Sequence, residues 1–315
     1  MKLKEVDHIT IIGTGMIGSS LAALFTGNGY KTTLLAMSDQ EAERGVSQYH
    51  NFFKDLIDKS LVTPEQAERC AGYLSVSQDY RDIAETDFIY ECVFEKLDVK
   101  HSVYREVEKY CTRFKAIASS TSAISPDDLA KGFEKHKDKI MVAHPFYPPH
   151  LIPFVEIVKG EQTTQAAAKL AYDLLESTGR KAVIAQKSMP GFVANRLQHA
   201  LVREAAYMVG IGLVEPADID KALMYSFMPR YSNVGLFQHQ DAAGLDLVKN
   251  IQDYMLPSLS NETQTPEFIR NLVAKGELGM KTNKGIYAWT EESKKEFHAK
   301  AAAPYLKFFN WDIPE

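Results

Sequence analysis

The chain has 315 residues, 45% of them apolar and 24% charged, with a formal net charge of -5. The length suggests two domains and the composition an ordinary folded protein. The acidic balance argues against a nucleic-acid scaffold, and no apolar run reaches the length that a bilayer requires.

Cys70, Cys92 and Cys111 lack metal-ligand spacing and read as reduced thiols. The start carries no signal-peptide pattern. The expected setting is therefore cytoplasmic, with no metal, no nucleic acid and no membrane as partner.

In chain order, an apolar run at residues 8–12 reads as a strand and ends at Gly13. Gly13-Thr14-Gly15-Met16-Ile17-Gly18 follows, then a helical pattern, then a second apolar run at 32–36. Strand, glycine turn, helix, strand is the order of a dinucleotide site. The first glycine permits the tight turn, the second lets backbone approach a pyrophosphate, and the third lets helix and strand pack. Gly13, Gly15, Met16, Ile17 and Gly18 are the expected cofactor loop. The end of the second strand ordinarily carries an acidic residue for the adenosine ribose. Here Ala36 occupies it, with Ser38 and Asp39 close behind. NAD is the expected cofactor, with Asp39 able to reach back to the ribose, although the motif alone does not decide it. NADP stays open, because no carboxylate at 36 repels a 2′-phosphate and Ser38 could donate to one.

Residues 39–74 read as a helical pair, with Thr63-Pro64-Glu65 starting the second helix. The run at 88–93 is the next buried strand. Glu95 and Lys100 follow its carboxyl end, the side that faces the ligand crevice of an open α/β sheet. The run at 116–122 reads as another strand, ending in hydroxyl residues with Ser122 last. That serine either faces the same crevice or caps the helix near Pro126.

A strand then ends at His144, three prolines stiffen the turn, and a second strand at 151–158 contains Glu156. A carboxylate beside an imidazole fixes its tautomer and supports a general base. The competing reading is a core histidine and an exposed strand carboxylate. A helix capped by Thr163 or Thr164 and a strand at 181–186 complete the first part.

From Pro190 onward the pattern is helical. The division expected is a dinucleotide-binding domain at 1–187 and an all-α domain at 188–315. The second is large enough for its own core, and would contribute to the substrate cleft and a dimer interface. Residues 192–197 open its first long helix, and Asn195 sits near the domain junction, where it either faces a pocket or caps the helix.

Together these residues resemble the L-3-hydroxyacyl-CoA dehydrogenase family over nearly the whole length. The resemblance rests on the glycine loop, Glu91-Cys92-Val93-Phe94-Glu95-Lys96-Leu97 with Lys100, Ser120-Thr121-Ser122, and His144 with Glu156 twelve residues on. Pro190-Gly191-Phe192-Val193-Ala194-Asn195-Arg196 and residues 278–287 complete it. It implies a Rossmann-type doubly wound sheet followed by a smaller all-α domain. It also implies hydride transfer between C3 of a 3-hydroxy substrate and a nicotinamide, a role in fatty acid metabolism, and a homodimer through the helical domain.

His144 would be the base and Glu156 its orienter. Ser122 and Asn195 would hold the reacting oxygen and the imidazole, and Glu95 and Lys100 would contact the nicotinamide end. His144-Pro145-Phe146-Tyr147-Pro148 departs from the His-Phe-Phe-Asn-Pro of CoA-ester enzymes. The prolines are more similar to the branch acting on free hydroxy acids, the gulonate and carnitine type, although Tyr147 departs from both branches. Short 3-hydroxyacyl-CoA esters and free 3-hydroxy acids both remain as substrates, and a non-catalytic, crystallin-like nucleotide binder is the alternative.

Overall fold

The computed structural model describes residues 2–315. The chain divides into one unit of Met1–Val193 with Lys300–Glu315 and a second of Ala194–Ala299. The helical pattern of the second half did not show that the last residues rejoin the first unit.

In the first unit the order is β1 (His8–Ile12), α1 (Met16–Thr26), β2 (Lys31–Leu35), α2 (Asp39–Asp58), α3 (Pro64–Ala71), β3 (Leu74–Ser77), β4 (Phe88–Glu91) and α4 (Leu97–Tyr110). Then follow β5 (Ala116–Ser119), α5 (Pro126–Ala130), β6 (Ile140–Pro145), β7 (Phe154–Lys159), α6 (Gln165–Ser177) and β8 (Lys181–Ala185). The eight strands form one sheet in the order β3-β2-β1-β4-β5-β6-β7-β8. Pairing is parallel except between β6 and β7. The chain reverses its direction across the sheet between β1 and β4, which is where an open α/β sheet leaves a crevice at its carboxyl edge.

The strand period of two divides the core. Ile9 and Ile11 of β1 join Leu21, Leu24 and Phe25 of α1, with α2 and α6, on one face. Ile12, Ile89 and Ile117 join Val103, Tyr104 and Val107 of α4 on the other. Strand β3 was not expected. Its Leu-Ser-Val-Ser run is short and only partly buried, so it carries little apolar signal. The start of α3 is a capping box between Thr63 and Gln66.

The C-terminal tail packs on the first unit. Trp311 lies against Phe53 and over Gly27, where a Cβ would fall 2.1 Å from the indole.

The second unit contains α7 (Ala194–Gly210), α8 (Pro216–Tyr225), α9 (Met228–Tyr231), α10 (Leu236–Ala243), α11 (Leu245–Met255) and α12 (Glu267–Ala274), and α13 (Glu291–Leu306) follows α12. In the single chain this unit buries few residues. Among the residues of Ala194–Ala299, Ala206 and Ser260 are the buried ones.

Candidate active site

The glycine turn at the end of β1 is built as the spacing requires, and each glycine has a separate reason. Gly13 has φ +106°, and a Cβ there would meet the Cys92 carbonyl oxygen at 2.6 Å. Gly18 in α1 sits where a Cβ would lie 2.0 Å from the Gly13 carbonyl oxygen. Gly15 is different. Its φ is -70°, which any residue adopts, and a Cβ there would meet nothing within 4 Å. The fold does not need a glycine at 15, whereas a group lying close over the loop would.

Gly15 is also the N-cap of α1 and supplies no side-chain bond. The first-turn N–H groups and the positive end of the helix dipole are therefore open to an anion. A cavity of about 630 Å³ lies over this turn, lined among others by Gly13, Gly15, Met16, Glu41, Tyr80 and Val93. These features fit a dinucleotide with its pyrophosphate over Gly15.

The other expected cofactor residues are placed variously. Ile17 packs toward the core. Ala36 is fully buried. Ser38 caps α2 by accepting the Glu41 N–H at 3.3 Å. Asp39 accepts from the Gln78 amide at 2.6 Å. Cys92 also lines the cavity, but burial and the neighbouring Glu91 carboxylate push its thiol up to about 12. It stays protonated near neutrality.

At the carboxyl ends of β4 and β5 a buried charge network forms. Glu91, fully buried, accepts from Val93 N–H (2.8 Å), Lys100 Nζ (2.8 Å), Tyr104 Oη (2.7 Å) and Ser119 Oγ (2.7 Å). Lys100 is buried too and lies 3.5 Å from Glu95. Glu95 accepts from the Thr121 hydroxyl and, at 3.0 Å, from the Ser122 N–H. Burial pushes the Glu95 carboxyl up, but the Thr121 bond, the Lys100 charge and the Ser122 N–H outweigh it and hold the group below its ordinary value. Glu95, Lys100 and Ser122 are thus brought together, and Glu91, which sequence reasoning passed over, is their anchor.

His144 ends β6. In the antiparallel β6–β7 pair its register partner is Glu156, so both side chains leave the same face of the sheet. Nδ1 of His144 stands 3.6 Å from Oε1 of Glu156, whose side chain is fully buried. That is an electrostatic contact, longer than a direct hydrogen bond. The other carboxylate oxygen of Glu156 accepts the Val193 N–H at 2.5 Å. Phe192, at φ +47°, places its ring 5.8 Å from the imidazole, and Phe146 flanks it at 5.7 Å. The Pro190–Val193 segment therefore bears on the pair, although its sequence reads only as a helix approach. Asn195 is half-buried in the first turn of α7, in the second unit.

Comparison with known proteins places the chain in a family. The pattern for "3-hydroxyacyl-CoA dehydrogenase, NAD binding domain" matches residues 8–188, and that for the C-terminal domain of the same family matches residues 191–289. The 5-formyl-3-hydroxy-2-methylpyridine 4-carboxylate 5-dehydrogenase of Mesorhizobium japonicum is 27% identical over 298 residues, 94% of this chain and 95% of that one. A solved structure of a 5-dehydrogenase acting on that pyridine carboxylic acid, an NAD+-dependent dismutase, superposes with a TM-score of 0.85 at 27% identity, over 96% and 97% of the chains. The L-carnitine dehydrogenase of Oceanobacillus iheyensis is 33% identical over 239 residues, 76% of each chain. The (S)-3-hydroxybutyryl-CoA dehydrogenase of Ralstonia eutropha superposes with a TM-score of 0.74 at 26% identity, over 91% of this chain and all of the other.

Proposed function

Because the chain belongs to the 3-hydroxyacyl-CoA dehydrogenase family and is an NAD-dependent dehydrogenase, we propose that it oxidises the hydroxyl of a small free hydroxy acid, with His144 as the base. The observation that carries this is the His144–Glu156 pair across β6 and β7. With Nδ1 facing the carboxylate, the tautomer that places the proton on Nδ1 leaves Nε2 free to take the hydroxyl proton. Glu156 stabilises the imidazolium that forms, and the Val193 N–H keeps its carboxylate from turning. The bound nicotinamide supplies the hydride acceptor. The Glu91–Lys100–Glu95 network presents a fixed negative carboxylate, Glu95, toward that end of the cofactor, and Ser122 holds the reacting oxygen.

A free acid rather than a CoA ester is supported by the relatives and by charge. The carnitine and pyridine-carboxylate enzymes act on compounds that carry their own carboxylate. In residues 39–74, where a CoA phosphate would need cations, Lys59 is paired with Asp55, Arg44 lies against Glu41 and Arg69 donates to the Pro314 carbonyl, which leaves the exposed Lys54 as a single cation, not a cluster.

The assay is NAD reduction with a panel of free hydroxy acids, and NADH oxidation with acetoacetyl-CoA alongside. A saturable rate with a free acid and little with the ester is expected, and a fast ester rate overturns the substrate assignment. His144→Gln should lower kcat by about 10²–10⁴-fold, the range of a general base, with NAD affinity kept. Turnover near the original rate would remove His144 from its role.

The second unit points to a homodimer. Phe237 and Tyr254 are 84% and 82% exposed, on helices that bury no residue at all. A second copy covering that face would complete the core that the single chain lacks.

A further inference from the structure

The ribose position at the end of β2 has no carboxylate, yet the chain uses NAD. We infer that Glu41, from the first turn of α2, takes over the reading of the adenosine ribose and is the residue that excludes a 2′-phosphate. The inference rests on the placement of the dinucleotide over the Gly13–Gly18 turn.

Three candidates near that position are otherwise engaged. Ala36 is buried, and its N–H donates to the Ser77 carbonyl at 2.9 Å. Ser38 caps the helix, and Asp39 turns to Gln78. None of the three lines the cavity over the glycine turn, whereas Glu41 does. Its Oε2 accepts the Met37 N–H at 3.1 Å, so the carboxylate folds back over the residue directly after Ala36. It occupies by a longer route the region that an acidic side chain at 36 would reach.

Its location against the loop is fixed. The Glu41 carbonyl accepts from the Thr14 hydroxyl at 2.8 Å. One turn later Gly45 allows α2 to press on the loop, for a Cβ there would meet Thr14 Cβ at 2.7 Å. The same wall carries Gln48, whose Oε1 is shielded from solvent and accepts no bond among the described residues, an acceptor suited to a donor on the nucleotide.

A carboxylate at this place accepts from vicinal ribose hydroxyls and repels a phosphate dianion. Arg44 lines the cavity as well, 3.9 Å from Glu41 Oε1. In the native chain its charge is offset by Glu41. Without Glu41 it becomes a cation facing the 2′ position. Discrimination is thus set by which of the two charges dominates.

The test is titration calorimetry of NAD+ and NADP+ binding, with no turnover needed. In the native protein NADP+ should bind at least about 30-fold more weakly than NAD+. Glu41→Gln should weaken NAD+ by about tenfold and bring the two affinities within about threefold of each other, and adding Arg44→Ala should weaken NADP+ again. An unchanged NAD+/NADP+ ratio in Glu41→Gln overturns the inference and leaves Glu41 as a helix-capping residue. If that variant does not fold, native binding of the 2′-deoxyadenosine analogue of NAD+ decides. A loss of about tenfold or more supports the assignment, and equal binding overturns it.

Gly15→Asp separates the two levels. It should fold, since its Cβ has open space and Asp is a good N-cap, and should lose both nucleotides by repelling the pyrophosphate. If it folds and binds both, the placement over the glycine turn fails and the Glu41 inference goes with it. If it loses both while Glu41→Gln keeps the native ratio, only Glu41 is misassigned.

Discussion

Lys100 and Glu91 show how a single residue can look ordinary in sequence and be decisive in space. Read along the chain, Glu91 is one polar residue at the end of an apolar strand. In the fold it accepts four hydrogen bonds, one of them from a lysine that is itself buried. Removing one partner of such a pair leaves an uncompensated buried charge, which costs about 3–5 kcal/mol. Lys100→Met should therefore destabilise the protein by about that much in urea unfolding. Adding Glu91→Gln should recover part of the loss, because a neutral amide in place of the carboxylate no longer needs the ammonium. Additive losses would show that the two do not act as a pair. Glu95 and Lys100 were legible in sequence because they follow a strand at its ligand end. Glu91 was not, because its donors come from β5, α4 and the loop after β4, and only the packed sheet gathers them.

The turn between β6 and β7 makes the corresponding argument for an element. Its three prolines read as a stiff connection, but stiffness alone does not aim His144. The turn contains a cis Tyr147–Pro148 bond and is held from outside. Arg180, fully buried, donates to the Pro149 carbonyl at 3.0 Å. His150 meets Ser20 of α1, Nδ1 to Oγ at 2.8 Å, with its ring 4.6 Å from that of Phe52.

Burial holds His150 down to about 4, whereas in the unfolded chain it titrates near its ordinary value of 6.5. Between those two values the unfolded state binds the proton and the folded state does not. The stability contributed by a neutral His150 is thus complete above about pH 6.5 and declines as pH falls to about 4, by about 3 kcal/mol at most. Urea midpoints measured from pH 7.5 to 4 should fall for the native protein and fall less steeply for His150→Gln. Parallel curves would contradict the account. Carboxylates held below their ordinary values, such as Glu95, lose their contribution at lower pH, as the medium acidifies through their folded-state values.

For the whole molecule, apolar surface is the governing quantity. The first unit fills both faces of its sheet. The second leaves large side chains on α8, α10 and α11 in water, among them Tyr225, Phe237 and Tyr254. Sedimentation should give the mass of two 35.4-kDa chains. Paired Phe237→Asp and Tyr254→Asp substitutions should produce a monomer of lower thermal stability. A native protein that sediments as one chain would overturn the homodimer, and substitutions that leave a dimeric mass unchanged would place the interface elsewhere.

What the sequence determined by itself is what depends on neighbours along the chain. The glycine turn, the strand and helix alternation, the helix start at Thr63-Pro64-Glu65 and the change to an all-helical second half are all local. So is the place of His144, an imidazole near a strand end before a proline-rich turn. Tertiary structure alone decided the rest. Glu156 reaches His144 only through the register of an antiparallel pair, and a shift of one residue would send its side chain to the opposite face. Glu41 meets the glycine loop only because Gly45 lets α2 lie on Thr14. The second unit's shortage of core becomes visible only once every helix face has been assigned a neighbour. In each case the deciding contact joins residues that chain order keeps apart, and burial and register, rather than spacing, bring them together.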